Sequence, residues 1–301
     1  MPDFKFSLYA VAYLDILGFS SFVKEAENNN EKRDRLGMLF NEVIPSEVST
    51  EINNQSFPKE VNLKCLSFSD SIIISAPVDQ EYSKNYLSLI AVSIKSIQIA
   101  HAMLDMGLLV RGAIAVGNTY RTDFNIMGTG YQDAVSGEKN AINPQIVLTE
   151  SVEKNLNDYI NKGGTKFAIF AKNELGQVIL DSIYPHPTYW RNTNGEDMVS
   201  CSEKYQDEID SRFNQYRNTI IENLAHDDPK AKAKWIWFAG LFNANVRYFS
   251  EIKDKSLAID QELQSITMNY LNPPAKDSSW TDSFKDVGSN VKINSSPNIG
   301  E

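Results

Sequence analysis

Two aspartates occupy positions where a charged side chain needs a partner. Asp15 lies near the end of an otherwise apolar run, residues 8 to 19, that predicts a buried strand followed by a tight turn at Gly18. Removing an ionised carboxylate from water costs several kcal/mol, so a buried one is usually paired, hydrogen-bonded or bound to a cation. Because no adjacent residue is basic, a metal ion is the simplest partner for Asp15.

The second aspartate lies further along the chain, in residues 62 to 75. The arms of this segment are apolar and β-branched, and its centre is Ser69, Asp70 and Ser71, which predicts a β-hairpin with Asp70 at its tip. An aspartate in a hairpin turn is usually structural, so Asp70 gains its interest from Asp15. A strand end and a hairpin tip can bring two carboxylates together on hard divalent cations, which prefer oxygen ligands.

Two further polar residues interrupt apolar elements. Arg111 is the one charge in an apolar strand, residues 108 to 117, and it suits either active-site chemistry or a salt bridge to an acidic neighbour. His101 falls on the apolar stripe of a long helix predicted for residues 82 to 106. No acid or nucleophile accompanies His101 locally, so we interpret it as structural.

The remaining pattern supplies the elements that must position these residues. Apolar residues at helical spacing alternate with short apolar runs, as expected for an α+β domain. Helices are predicted at residues 19 to 26, 34 to 48, 82 to 106, 131 to 141, 203 to 224 and 230 to 251, and further strands at residues 144 to 148, 167 to 170 and 177 to 180. Asp227, Asp228 and Pro229 end the first of the two last helices and begin the second.

Taken in this order, three segments resemble the catalytic domain of class III nucleotide cyclases. Residues 15 to 20, DILGFS, resemble the first metal motif of that family, Ser69 and Asp70 its hairpin pair, and residues 111 to 117 the strand after its long helix. The resemblance covers about residues 8 to 150. It implies an α+β fold with a ferredoxin-like βαββαβ core, to which we add a C-terminal helical extension.

The departures from the purine cyclases are equally informative. Leu66 stands where those enzymes carry a purine-selecting Lys or Glu, and alignment on Glu138 puts Gln132 and Ser136 at the positions of their ribose-binding Asn and phosphate-binding Arg. A narrower resemblance, to the pyrimidine cyclases of Pycsar antiphage systems, covers most of the chain. It is based on residues 13 to 20, 111 to 112, 128 to 134, 138 to 139, 143 to 148, 234 to 238 and 242 to 243.

This resemblance implies cyclisation of UTP, with CTP as the second choice, to a 3′,5′-cyclic mononucleotide that activates a partner effector in antiphage defence. It implies two divalent cations, Mn²⁺ or Mg²⁺, held by Asp15, Asp70 and the Ile16 carbonyl oxygen, and a homodimer with active sites at its interface. Arg111 is then a candidate for charge stabilisation or for organising the site. The candidate substrate-binding residues are Gly18, Phe19 and Ser20, through their amides, together with Leu66 and Gln132.

Composition limits the class of protein. The chain has 301 residues and a formal charge of −10, which argues against a nucleic-acid binder. Cys65 and Cys201 have no metal-ligand spacing, and no segment approaches the roughly 20 apolar residues of a membrane span, so we expect a cytoplasmic protein without a leader. We predict a cyclase-like domain at 1–182, a helical extension at 183–271 and a flexible tail at 272–301.

Three other functions stay open at this level. A degenerate cyclase domain could bind nucleotide without turnover, as Gln132 and Ser136 would suggest, although a dead site has no evident reason to keep two buried carboxylates. A purine cyclase would be expected to carry Lys or Glu at the position of Leu66. A two-metal phosphohydrolase would need additional His or Asp ligands, and the three histidines of the chain lie in unsuitable contexts.

Overall fold

The computed structural model describes residues 4–49, 57, 61–78, 87–161, 169–185, 202–260 and 266–271. The strands are β1 (Ser7–Leu17), β2 (Lys64–Phe68), β3 (Ser71–Pro77), β4 (Leu109–Arg121), β5 (Ile126–Gly128), β6 (Ile146–Leu148), β7 (Phe170–Lys172), β8 (Val178–Leu180) and β9 (Asn269–Tyr270). The α-helices are α1 (Phe19–Asn28), α2 (Asn30–Met38), α3 (Ile44–Val48), α4 (Leu87–Asp105), α5 (Thr129–Asn140), α6 (Glu150–Asn161), α7 (Ser202–Leu224) and α8 (Pro229–Tyr248).

The strands form one sheet in the order β2-β3-β1-β4-β6-β8-β7-β9, with β5 paired to β4. β1 lies between β3 and β4 and is antiparallel to both, and β2 and β3 form an antiparallel hairpin. The spatial order β4-β1-β3-β2 with helices after β1 and before β4 is the ferredoxin-like βαββαβ arrangement. The predicted fold class is therefore confirmed, and the sheet continues beyond this core through β6.

The two faces of β1 have different partners because successive side chains of a strand point to opposite sides. Ala10, Ala12, Leu14 and Ile16 belong to the main hydrophobic core, which includes most of α4. Val11 belongs to a smaller cluster on the other face, where α5 packs. Asp15 lies four residues after Val11 on β1, so its side chain points to the same side of the sheet, the side that faces α5.

The helix predicted at residues 34 to 48 is divided by a π-helical segment, Leu39–Val43. Pro45 follows as the first or second residue of α3 and has no amide hydrogen to continue an α-helical ladder. The Ile44 N–H reaches back five residues to the Leu39 carbonyl oxygen, which is the π-type bond. The proline thus accounts for the break in a helix that periodicity alone predicts as continuous.

The predicted C-terminal helices are confirmed, and α7 packs against α4. His101 Nδ1 and the Tyr216 hydroxyl are 2.6 Å apart, and Arg212 Nη2 donates to Asp105 Oδ2 at 2.6 Å. Burial lowers the pKa of His101 to about 3, so this histidine is neutral and structural, as predicted. Asp228 caps α8 by accepting a hydrogen bond from the Lys230 amide. The four aromatic side chains of α8 that the sequence assigns to the core are buried, namely Trp235, Trp237, Phe238 and Phe242.

Several predictions concern residues outside the described ranges. They are the tail at 272–301, Cys201 and the aromatic connector from His186 to Trp190. The domain boundaries at 182 and 271 stay predictions. None of the helices that the structure describes is long and apolar enough to cross a bilayer.

Candidate active site

The structure brings Asp15 and Asp70 to one end of the sheet. The Ile16 N–H donates to the Asp70 carbonyl oxygen at 3.0 Å, and Asp15 is paired in register with Ser71. Ser69 has φ +55°, a left-handed conformation that lets the chain reverse between β2 and β3. The hairpin turn is thereby fixed to the end of β1, and the two predicted metal-binding aspartates become neighbours.

Arg111 faces Asp15 across the β1–β4 pairing but is held mainly by Glu138 of α5. Arg111 Nε donates to Glu138 Oε1 at 2.6 Å, and Arg111 Nη2 also pairs with that oxygen. The distance from Arg111 Nη2 to Asp15 Oδ2 is 3.9 Å. Arg111 therefore forms the salt bridge that one of its two interpretations predicted, and the partner is Glu138. Its guanidinium lies between the carboxylates of Glu138 and Asp15.

Glu138 was not among the predicted site residues. Its side chain is only 6% exposed, and it lies on the buried face of α5 behind Gly130 and Ala134, at spacings of four residues. The sequence contains one indication of its role, because Glu138 continues a helical stripe of small residues that would suit packing against a strand. The sequence does not show which face of α5 meets β4, so it could not identify Arg111 as the partner of Glu138.

The acidic groups at this site repel one another. Burial, followed by the carboxylates of Glu138 and Asp70, raises the pKa of Asp15 to about 6, against the charges of Arg111 and Lys234, which lower it. The Asp15 side chain is 24% exposed, so it keeps access to solvent. A cation bound between Asp15 and Asp70 would relieve this repulsion.

The donor set suits a hard divalent cation whose coordination is completed by a ligand. Within the described ranges, no group of three or more His, Cys, Asp or Glu side chains is arranged to hold a metal. Mg²⁺-type sites commonly use one or two carboxylates and take their other oxygens from substrate phosphates and water. Asp15 and Asp70 fit that pattern, and the Ile16 carbonyl stays a predicted third ligand.

The turn after β1 has the backbone expected for a phosphate-binding segment. Gly18 has φ +77° and precedes α1, and no side chain caps the first turn of that helix. The amides of Ser21 and Phe22 bond back to the Gly18 carbonyl oxygen, which leaves the amides of Phe19 and Ser20 at the helix start for a ligand. The Phe19 ring packs near Phe40, with centroids 5.6 Å apart.

The other two predicted substrate residues lie in different surroundings. Leu66 is half-buried on β2 and packs with Tyr13 and Ile73 on the same face of the sheet as Asp15. Gln132 is exposed on α5, and no described hydrogen bond joins it to either aspartate. One chain thus brings together Asp15, Ile16, Asp70 and Arg111, and it leaves Gln132 on the outer surface of α5.

No family model matches this chain, and no curated protein matches it. Among solved structures, it is similar to the monomeric guanylyl cyclase domain of the RhoGC fusion protein from the aquatic fungus Blastocladiella emersonii, with 11% identity and a TM-score of 0.39 over 58% of this chain and 94% of that one. The non-canonical dimeric form of that domain gives 12% identity and a TM-score of 0.34 over 57% and 93%.

A third similar structure is the catalytic core of a rhodopsin-guanylyl cyclase with converted specificity in complex with ATPαS, with 13% identity and a TM-score of 0.34 over 52% of this chain and 85% of that one. Identities and TM-scores this low do not assign a function to this chain.

Proposed function

We propose that this protein is a nucleotide cyclase that converts UTP, or as the second choice CTP, into the 3′,5′-cyclic mononucleotide and diphosphate. The observation that carries the proposal is the pairing of Asp15 and Asp70, fixed side by side by the bond between Ile16 and the hairpin tip. Two half-buried carboxylates with a raised pKa at Asp15 form a site that favours divalent cations.

The proposed reaction is an intramolecular displacement. The ribose 3′-oxygen forms a bond to the α-phosphorus, the bond from that phosphorus to the oxygen bridging to the β-phosphate breaks, and diphosphate leaves while the hydroxyl proton passes to water. Mn²⁺ or Mg²⁺ bound at this site would lower the pKa of the 3′-hydroxyl and neutralise charge on the triphosphate.

The residues of the chain have separate tasks in this scheme. Asp15 and Asp70 would hold the cations, and the Phe19 and Ser20 amides would contact phosphate oxygens at the start of α1. Arg111, oriented by Glu138, stabilises negative charge beside Asp15. The scheme includes no separate general base, because divalent cations at this site would make the 3′-hydroxyl more acidic.

Leu66 and Gln132 bear on the base of the substrate and on the assembly of the protein. Leu66 offers no hydrogen bond to a purine edge, which supports a pyrimidine nucleotide and, by the sequence resemblance, a second messenger for an effector in antiphage defence. The exposed position of Gln132 supports a homodimer in which this residue reaches the substrate at the partner's aspartates.

The test is to incubate the purified protein with each of the four NTPs and Mn²⁺ or Mg²⁺ and to identify products by mass. We expect a cyclic pyrimidine nucleotide that is lost, by a factor of at least about 100, in Asp15→Asn and in Asp70→Asn, because either change removes a cation ligand. Asp34→Asn, at an exposed position of α2, is the control and should keep wild-type activity.

Each alternative has its own outcome. A cyclic purine product would overturn the base assignment, and a hydrolysed nucleotide without a cyclic product would indicate a phosphohydrolase. Nucleotide binding without any product would indicate the degenerate regulatory module, which the exposed Gln132 and Ser136 would then explain.

A further inference from the structure

We propose that Arg121, the last residue of β4, reads the 4-position of a pyrimidine base and thereby makes UTP the preferred nucleotide over CTP. The inference depends on the function proposed above, because it assumes a pyrimidine nucleotide at this site. It assigns a residue to a choice that Leu66 leaves open, since a leucine side chain offers no hydrogen bond to either base.

An apolar surface lies directly beside Asp15 on the same face of the sheet. Residues paired across antiparallel strands point to the same face. Asp15 is paired with Ser71, and the next pairs on this face join Tyr13 to Ile73 and Ile73 to Leu66. The Tyr13 hydroxyl is 2.7 Å from Ser71 Oγ, so its polar end is satisfied. Leu66, Ile73 and Tyr13, the apolar row, can therefore support a flat ring.

Arg121 is held at the side of the apolar row that is opposite Asp15. Its Nη1 donates to the Ser75 carbonyl oxygen at 3.2 Å and to Ser75 Oγ at 2.9 Å. Ser75 lies two residues beyond Ile73 on β3, on the same face of the sheet. The guanidinium also lies over the Tyr9 ring, with Cζ 5.7 Å from the ring centroid. These contacts fix the Arg121 side chain in one place.

Arg121 keeps donors that a ligand can use. The turn between β4 and β5 makes a second contact with the sheet, where Asp123 pairs with Lys64, the register partner of Ser75. The nearby carboxylate is thus engaged by Lys64. Within the described part of the chain, Arg121 forms no ion pair, and its Nε and Nη2 have no hydrogen-bond partner and are not completely buried.

The spacing along β3 suits a nucleotide. Ser71, which follows Asp70, and Ser75, which holds Arg121, are four residues apart, and a strand of that length spans roughly 13 Å. A mononucleotide with a cation at its phosphate and a hydrogen bond at its base can bridge such a distance. With the phosphates at the aspartates and the base on the apolar row, Arg121 meets the atom furthest from the ribose. In a pyrimidine this atom is the substituent at position 4, opposite N1.

Position 4 is where uracil and cytosine differ. Uracil carries the carbonyl oxygen O4, which accepts hydrogen bonds, and cytosine carries an amino group, N4, which donates them. Arginine has five N–H donors and no acceptor. Arg121 can therefore bond to uracil O4, whereas the cytosine amino group would meet it donor to donor and leave both groups unpaired. Unpaired polar groups at a half-buried site are costly, so the arginine favours UTP.

The experiment measures binding apart from turnover. It uses the α,β-methylene analogues of UTP and CTP, in which carbon replaces the oxygen whose bond to the α-phosphorus would break. Calorimetry in the presence of Mn²⁺ gives the Kd of each analogue for the full-length wild type, Arg121→Gln, Arg121→Lys and Asp123→Asn. Because the bond to O4 is charge-assisted, we expect the wild type to bind the uracil analogue about tenfold or more tightly than the cytosine analogue.

The variants separate hydrogen-bond chemistry from a structural role. Arg121→Gln should bind the two analogues within about threefold of each other, because a glutamine amide both donates and accepts. Arg121→Lys keeps a group that only donates and should keep the preference for uracil. Asp123→Asn, at an exposed residue, breaks the other contact of the turn with the sheet and is the control, which should also keep the preference.

Circular dichroism of each variant shows whether the fold is intact. The inference is overturned if folded Arg121→Gln keeps the wild-type preference, if Asp123→Asn loses it, or if the wild type binds the cytosine analogue as tightly as the uracil analogue. A uracil preference that depends on Arg121, without any cyclic product from UTP, would keep this inference and reject cyclisation. Cyclisation with the same ratio of kcat/KM for UTP and CTP in the wild type and Arg121→Gln would do the reverse.

Discussion

At the scale of single residues, Glu138 determines what Arg111 can do. The Glu138 carboxylate is nearly buried and accepts the Arg111 Nε–H at 2.6 Å, and Arg111 Nη2 pairs with the same oxygen, so the guanidinium is held in one orientation with Nη2 3.9 Å from Asp15 Oδ2. An arginine fixed in this way stabilises charge at a defined place, and it cannot move freely to follow a substrate. Glu138 is therefore a positioning residue for the candidate site.

We expect Glu138→Gln to lower the free energy of unfolding by about 2 kcal/mol, because it leaves the partly buried Arg111 charge without its carboxylate. The kcat of cyclisation should fall by about tenfold or more, since Arg111 loses its orientation. Denaturant unfolding and product formation measure the two effects. Asp34→Asn, exposed on α2, is the control, and equal effects of the two changes would contradict the role of Glu138.

At the scale of elements, the approach of α5 to β4 is what brings Glu138 to Arg111. Gly117 of β4 faces Gly130 of α5 so closely that a Cβ on Gly117 would lie 2.7 Å from the Gly130 Cα. A Cβ on Gly137 would lie 2.6 Å from the Ala113 Cβ. Glycine at these positions allows the helix to lie directly on the strand, so the short distance between Glu138 and Arg111 depends on them.

Gly130→Ala should therefore destabilise the protein although alanine is the better helix former. Its Cβ would lie 2.7 Å from Thr119 Oγ1 and 2.9 Å from the Gly117 carbonyl oxygen, and separating α5 from β4 should cost about 1 to 3 kcal/mol. Gly37→Ala in α2 is the control, because among the described residues its Cβ would come within 4 Å of one atom, at 3.9 Å, and it should stabilise the protein by about 0.5 to 1 kcal/mol. Chemical denaturation compares the pair, and stabilisation by both changes would refute the close approach.

At the scale of the whole molecule, Asp181 connects the sheet to the C-terminal extension. This fully buried carboxylate follows β8 and accepts hydrogen bonds from the Tyr270 hydroxyl of β9 at 2.6 Å and from Asn245 Nδ2 of α8 at 3.2 Å. Burial raises the pKa of Asp181 to about 6, against these hydrogen bonds, which lower it. Three elements from distant parts of the chain thus meet at a carboxyl group that keeps its proton to a higher pH than an ordinary aspartate does.

The sign of the resulting pH dependence follows from the raised pKa. Stability contributed by a raised carboxyl pKa is fully present below its ordinary value of 3.8 and is lost as pH rises through about 6. Between pH 4 and 7, the wild type should lose about 2 to 3 kcal/mol relative to Asp181→Asn, which does not titrate. Urea unfolding at a series of pH values measures this difference.

Asp227→Asn, at an exposed aspartate in the turn between α7 and α8, is the control for that series. Its free energy of unfolding should change with pH as that of the wild type does. Parallel profiles for the wild type and Asp181→Asn would show that Asp181 binds its proton equally in the folded and unfolded states.

The sequence by itself determined the local elements and the residues at their ends. The apolar run into Gly18 and the polar tip around Asp70 depend on strand alternation and turn chemistry, which are properties of neighbouring residues. The two aspartates could therefore be predicted as a pair before any contact was known. The helices α7 and α8 were predicted for the same reason, from periodicity and from Asp228 and Pro229.

Only the tertiary structure decided which distant groups meet these aspartates. Glu138 and Lys234 lie 123 and 219 residues beyond Asp15 in sequence, and nothing in their local patterns shows that their charges act on it. Their placement depends on the contact of α5 with β4 and on the return of α8 beside α7. The sequence therefore determined where carboxylates could bind cations, and the packing of helices on the sheet decided which charges accompany them, because Coulomb interactions depend on distance in space.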